Sequence, residues 1–158
     1  MKNLESLVKQ LKGNNIKVAV AESCTGGLLA AELTSIPGSS EFFEIGLITY
    51  SNEAKINLLG VKNSTIQQYG AVSENTAKEM ALRIRDIANA HIGIAITGIA
   101  GPGGGSKDKP VGLVYIGIAM ENNILIYKHL FAGNRKNIRK QSVSSAIANS
   151  LLLLMEER

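Results

Sequence analysis

A serine set between a short apolar run and a pair of glycines is the most reactive arrangement in this 158-residue sequence. Ser23 stands in Glu22-Ser-Cys-Thr-Gly-Gly27, after the apolar residues 18–21 and before a helical pattern over residues 28–33. A strand that passes through a tight turn into a helix holds a side chain at the carboxyl edge of a sheet. The unpaired amides of the helix's first turn face the same space and can stabilise an anion. Such a turn makes Ser23 a candidate nucleophile.

A serine is a weak nucleophile until a base takes its proton. His91 opens a predicted strand and His129 lies inside another, so the usual imidazole base is not signalled. A lysine serves instead when desolvation or a neighbouring cation lowers its pKa. Lys55, just beyond Tyr50-Ser-Asn, is the best placed. Each residue also has an ordinary reading. Ser23 or Thr25 would cap a helix, Lys55 would be a solvated helix lysine, and Tyr50 would sit at the rim of the core. Cys24 is either a competing nucleophile or a small buried hydrophobe.

A second cluster, Thr97-Gly98 followed by Ile-Ala-Gly101-Pro-Gly103-Gly104-Gly105 with Pro102 between the glycines, comes after another predicted strand. Its backbone amides would suit a phosphate. It lacks the Lys-Ser/Thr ending of a P-loop and the spacing of a dinucleotide fingerprint. Arg135 and Arg139, one turn apart near the positive end of the last predicted helix, would add charge for an anionic ligand, or form a solvated helix face.

The elements that position these clusters follow from periodicity. Leu4, Leu7, Val8 and Leu11 mark a first amphipathic helix, stopped at Gly13. Residues 42–50 read as a strand, and a short helix capped by Ser51 or Asn52 follows, with Ile56, Leu58 and Leu59 inward and Gly60 closing it. Residues 63–69 form another helical turn. Ser73 precedes a strong helix with Ala77, Met80, Ala81, Ile84, Ile87 and Ala88 on its stripe. Residues 91–97 are a buried strand. Residues 111–120 and 124–131 form an antiparallel hairpin across Glu121-Asn-Asn123. Gly133-Asn134 starts a terminal helix that runs to about Met155. Strands alternating with helices predict an α/β fold, a three-layer α/β/α sandwich around a mixed, mostly parallel sheet of about five strands. The whole chain, residues 1–158, is read as one domain.

Composition narrows the class. Hydrophobic residues make up 45% and aromatics 4%, with no Trp, so the core is built from Ile, Leu, Val and Ala. The single cysteine excludes an internal disulfide framework and suits a reducing cytoplasm. No apolar run reaches the length of a membrane span. The net charge of +4, without aromatic interleaving, argues against nucleic acid as a partner. Edge strands and the apolar terminal helix favour a homo-oligomer.

Five motifs, Ala21-Glu-Ser-Cys-Thr-Gly-Gly27, Tyr50-Ser-Asn-x-x-Lys55, Gly70-Ala-Val-Ser73, Thr97-Gly-Ile-Ala-Gly-Pro-Gly-Gly104 and Lys109-Pro-Val-Gly112, occur in order along nearly the whole chain. Together they resemble the C-terminal domain family of the competence/damage-inducible protein CinA, whose stand-alone members include nicotinamide-nucleotide amidohydrolases. The resemblance implies deamidation of nicotinamide mononucleotide to nicotinate mononucleotide and ammonia, in pyridine-nucleotide recycling. It implies Ser23 as nucleophile, Lys55 as base and Tyr50 as hydroxyl partner, with no metal and no organic cofactor. Glu22, Cys24, Thr25, Gly26, Gly27, Thr97, Gly98, Gly101, Gly103, Gly104 and Arg135 would bind substrate. Where the family has Gly-Asp-Arg this sequence has Gly133-Asn134-Arg135, one negative charge fewer. A catalytically silent nucleotide-binding module of the same family is the alternative.

Overall fold

The computed structural model describes residues 1–157. In chain order the elements are α1 (Lys2–Gly13), β1 (Val18–Glu22), α2 (Leu28–Thr34), β2 (Phe43–Ile48), α3 (Asn52–Ala54), α4 (Asn63–Tyr69), α5 (Glu74–Ala88), β3 (Ile92–Gly98), β4 (Leu113–Ala119), β5 (Ile124–Leu130) and α6 (Arg135–Glu156). A 3-10 turn spans Ser39–Glu41, and α3 runs on into a π-helical turn over Lys55–Leu59.

Side-chain size along the central strands separates the two helical layers. Successive residues of a strand face opposite sides of the sheet. On one side stand Val18 and Val20 of β1, Ile92, Ile94 and Ile96 of β3, and Val114, Ile116 and Ile118 of β4. These branched residues pack with Leu7 and Leu11 of α1, Leu29 and Leu33 of α2, and Ile138 and Ala146 of α6. The other side carries Ala19, Ala21, Ala95 and Ala119 beneath Met80, Ala81 and Ile84 of α5. Glycine completes this flat side. A Cβ on Gly93 would lie 2.2 Å from the Ala81 carbonyl oxygen, and one on Gly117 would lie 2.6 Å from that of Ala77. The α5 backbone thus sits closer to the sheet than any side chain would allow.

The sheet has the order β2-β1-β3-β4-β5. β1 is parallel to both β2 and β3, while β3–β4 and β4–β5 are antiparallel, so β4 alone runs against the other strands. The expected mixed α/β/α sandwich is what forms. Its consequence lies at one edge. Glu22 is in register with Ile48 and with Ile96, so β1, β2 and β3 end side by side. The chain leaves β1 toward β2 and returns to β3 on the other flank, which opens a crevice at the carboxyl ends of β1 and β3.

Three local readings differ. β2 ends at Ile48 instead of Tyr50, because the Thr49 and Tyr50 carbonyls turn from the ladder to a side chain. Leu58 is 65% exposed, since the wider π turn rotates it to solvent. Ile87, at the edge of the α5 stripe, is 45% exposed.

Candidate active site

The turn after β1 is held from several directions. Ser23 N–H continues the ladder to the Ile96 carbonyl at 3.0 Å, and Thr49 N–H donates to the Glu22 carbonyl at 2.9 Å. Gly26 and Gly27 both have positive φ, 56° and 105°, which the reversal into α2 demands and which glycine adopts without strain. Glu22 is buried, and its carboxylate folds over the start of α2. Oε1 accepts from Leu29 N–H at 2.9 Å and from the Thr25 hydroxyl at 2.6 Å, and Oε2 accepts from Ala30 N–H at 3.0 Å. The anion at this helix N-terminus is therefore the protein's own. This corrects the expectation that α2 offers its first-turn amides to a ligand. Glu22, Thr25, Gly26 and Gly27 lie outside the cavity lining and build the turn that carries Ser23.

Lys55 is 1% exposed, although lysine usually keeps its ammonium in water. Ser51 caps α3, its hydroxyl accepting from Ala54 N–H at 3.0 Å, and the π turn begins at Lys55 itself. From there Nζ lies 3.1 Å from Ser23 Oγ, 2.9 Å from the Thr49 carbonyl and 3.1 Å from the Tyr50 carbonyl. It makes no ion pair among the described residues. Burial lowers its pKa from 10.5 to about 8, so an appreciable neutral fraction exists near neutral pH.

Nζ is within hydrogen-bonding distance of all three oxygens, and the neutral form can give two N–H bonds to the carbonyls and turn its lone pair to the serine hydroxyl. Cys24, beside Ser23, is 5% exposed, and burial pushes its thiol up to about 11, which keeps it protonated. A thiol is a poor nucleophile and a buried one is inert, so the chemistry favours Ser23 over Cys24.

Tyr50 is displaced from its expected role. Its main-chain oxygen, rather than its hydroxyl, meets the Lys55–Ser23 pair, while the hydroxyl accepts from Arg135 Nη2 at 3.0 Å. The ring is 56% exposed at the cavity mouth. Arg135 also donates through Nη1 to the Gly101 carbonyl at 2.8 Å, which joins the glycine loop to the start of α6. The buried Thr97 hydroxyl donates to the Ala71 carbonyl at 2.8 Å.

Ser23, Cys24, Tyr50, Lys55, Thr97, Gly98, Gly101, Gly103, Gly104 and Arg135 all line one cavity of about 250 Å³. Gly98 is needed for close packing, since a Cβ there would lie 2.7 Å from Val114 Cγ2, whereas Gly103 faces open space.

Several contributors carried no chemical signal in the sequence. Ala71 and Val72 form a wall of the cavity, between the Thr97 bond and Ser73, which caps α5. Lys109 Nζ donates to the Tyr69 carbonyl, so two motifs without reactive groups meet here. Arg139, read beside Arg135 as charge for a ligand or as a solvated helix face, donates instead to the carbonyls of Cys24 and Thr25. Asn134 caps α6, its side chain accepting from Asn137 N–H at 2.9 Å. Among the described residues no three His, Cys, Asp or Glu side chains gather to hold a metal. No helix among them is long and apolar enough to cross a membrane. A larger cleft of about 540 Å³ between α1, α2 and α6, lined by Leu4, Leu28 and Val143 among others, contains none of the reactive candidates.

The sequence and the fold both have counterparts among known proteins. The chain is 51% identical over 143 residues to a protein of Thermoanaerobacter pseudethanolicus named as competence-damage inducible, covering 90% of this chain and 35% of that one. A protein of the same name from Acetivibrio thermocellus is 53% identical over 138 residues, covering 87% and 33%. The chain thus spans about a third of the length of these curated relatives. Among solved structures, a competence-damaged protein (CinA) superfamily member from Klebsiella pneumoniae superposes with a TM-score of 0.95 at 34% identity, covering 98% of this chain and 97% of that one. A competence/damage inducible protein from Agrobacterium tumefaciens gives 0.93 at 40% identity, covering 97% and 93%. The model of the CinA C-terminal domain matches residues 2–154. On these grounds the chain belongs to the CinA C-terminal domain family.

Proposed function

We propose that the chain is a nicotinamide-nucleotide amidohydrolase, converting nicotinamide mononucleotide and water to nicotinate mononucleotide and ammonia. The observation that carries this reading is the buried Lys55 amine 3.1 Å from the Ser23 hydroxyl, with a pKa lowered to about 8. Neutral Lys55 takes the Ser23 proton as Oγ bonds to the carboxamide carbon. Lys55 returns that proton to the nitrogen as the C–N bond breaks, and ammonia leaves an ester on Ser23. Water, deprotonated by the same amine, attacks the ester carbon. The protonated Lys55 returns its proton to Ser23, and the acid product leaves as its carboxylate, its own proton passing to solvent.

The substrate class is supported by charge. Lys55 and Arg135 face the cavity, while Glu22 is turned away into α2. Arg135 and the glycine loop would hold the ribose phosphate, giving remote binding energy to a small reacting group. The Tyr50 hydroxyl supports binding at the mouth more than proton transfer, since it meets Arg135.

The test is ammonia release from nicotinamide mononucleotide by the purified chain beside folded Ser23→Ala and Lys55→Ala proteins. Turnover abolished by both substitutions is expected. Full turnover by Ser23→Ala, or none by the wild type, would sink the assignment.

A further inference from the structure

Arg139 lies one turn beyond Arg135 on α6 and is not part of the cavity lining. Its guanidinium reaches the turn that carries the nucleophile, with Nε 3.1 Å from the Cys24 carbonyl and Nη2 3.1 Å from the Thr25 carbonyl. In a trans peptide the C=O and the following N–H point in opposite senses. Holding the Cys24 carbonyl toward Arg139 turns the Thr25 N–H to the opposite side of that peptide. One peptide earlier, the Ser23 carbonyl accepts from Gly26 N–H at 3.0 Å, which turns the Cys24 N–H outward from the turn. Glu22 closes the opposite flank by binding the Thr25 hydroxyl and the first amides of α2. Gly26 leaves room for this grip, since a Cβ there would lie only 3.3 Å from Arg139 Nη2.

We propose that Arg139 is a positioning residue for acyl transfer: its bond to the Cys24 carbonyl fixes the Cys24–Thr25 peptide, and its bond to the Thr25 carbonyl fixes the next one, whose Gly26 N–H holds the Ser23 carbonyl, so that the Cys24 amide beside the cavity is already directed at the developing oxyanion. This rests on the acyl-transfer reading given above. Preorganised amides stabilise charge without reorganising during the reaction, and the fork of an arginine suits two neighbouring carbonyls where a lysine ammonium does not. A role through charge alone would have a different signature. It would act on the protonation of Lys55 and move the pH dependence of the rate.

The experiment uses the full chain as wild type, Arg139→Lys and Arg139→Gln, each checked by thermal melting. Two rates are followed. One is ammonia release from nicotinamide mononucleotide across pH. The other is phosphonylation of Ser23 by an alkyl fluorophosphonate, in which Oγ bonds to phosphorus, fluoride leaves and Lys55 takes the proton. Arg139→Gln is expected to lower kcat on the order of 100-fold, with KM within about twofold and the rising limb of the profile in place. Arg139→Lys should fall between the two, and phosphonylation should slow in parallel.

An unchanged kcat, a loss confined to KM, or a displaced limb would overturn the proposal. If Arg139→Gln fails to fold, the same criteria applied to Arg139→Lys decide. Wild type that is phosphonylated but releases no ammonia would end the amidase reading alone, and the phosphonylation rates would still judge Arg139. Wild type that is not phosphonylated overturns both.

Discussion

The Lys55 amine lies 3.1 Å from the Ser23 hydroxyl with no carboxylate among the described residues paired to it, and the two remaining contacts of its nitrogen are main-chain carbonyls. A carboxylate partner would hold the lysine charged. Carbonyls accept its N–H bonds without doing so, and burial then lowers its pKa to about 8. The carbonyls are available because β2 stops at Ile48, two residues before Tyr50.

The pH dependence follows directly. In the proposed mechanism the base is the neutral amine, so kcat/KM should rise with pH and level off with an apparent pKa near 8. Replacing Tyr50 by Phe should leave that limb in place and raise KM a few-fold, because its hydroxyl contacts Arg135. A steady-state profile of both proteins checks this. A limb displaced in Tyr50→Phe would restore the hydroxyl to the proton path.

Stability should move with the same titration. The folded Lys55 loses its proton near pH 8 and the unfolded one near 10.5, so between these values the unfolded chain holds the extra proton. The penalty is fully present below about pH 8, declines as pH rises, and vanishes above 10.5. It is worth about 3 kcal/mol by the standard conversion. Lys55→Met removes it, so at pH 7 this variant should be inactive and at least as stable as wild type. Urea midpoints at pH 7 and pH 10 would show the variant's advantage shrinking at the higher pH.

Gly93→Ala should be among the most damaging single-methyl changes. The added Cβ would lie 2.2 Å from the Ala81 carbonyl oxygen and 2.9 Å from the Arg85 amide nitrogen, both in the α5 backbone. Overpacking of this kind costs about 3 kcal/mol or more when backbone must move. Gly103→Ala, with open space around it, serves as the control. Equal urea midpoints for the two variants would contradict the close approach of α5.

Asn134→Asp should leave stability within about 0.5 kcal/mol, since Asn and Asp cap helices equally well. The restored charge would sit next in sequence to Arg135, which bridges Gly101 and Tyr50. A change in KM without a change in melting temperature is the expected outcome.

The elements were legible because their signals are local. The α1 stripe, the Ser73 cap of α5, the β4–β5 hairpin and the stop at Gly60 each depend on residues close together in the chain. Ser23 and Lys55 were also legible as a serine after a buried strand and a lysine in the first turn of a helix. Sequence by itself determined these elements and residue types. Only the tertiary structure brought residues 23, 55, 97 and 135 to one cavity, because the strand order that places β1 between β2 and β3 is a long-range choice. It also decided which polar groups meet a ligand. Glu22 and Arg139 have the charges of binding residues, yet both are engaged by main-chain groups of the turn and of α2, and a side chain's type does not reveal which partner reaches it first once the chain is packed.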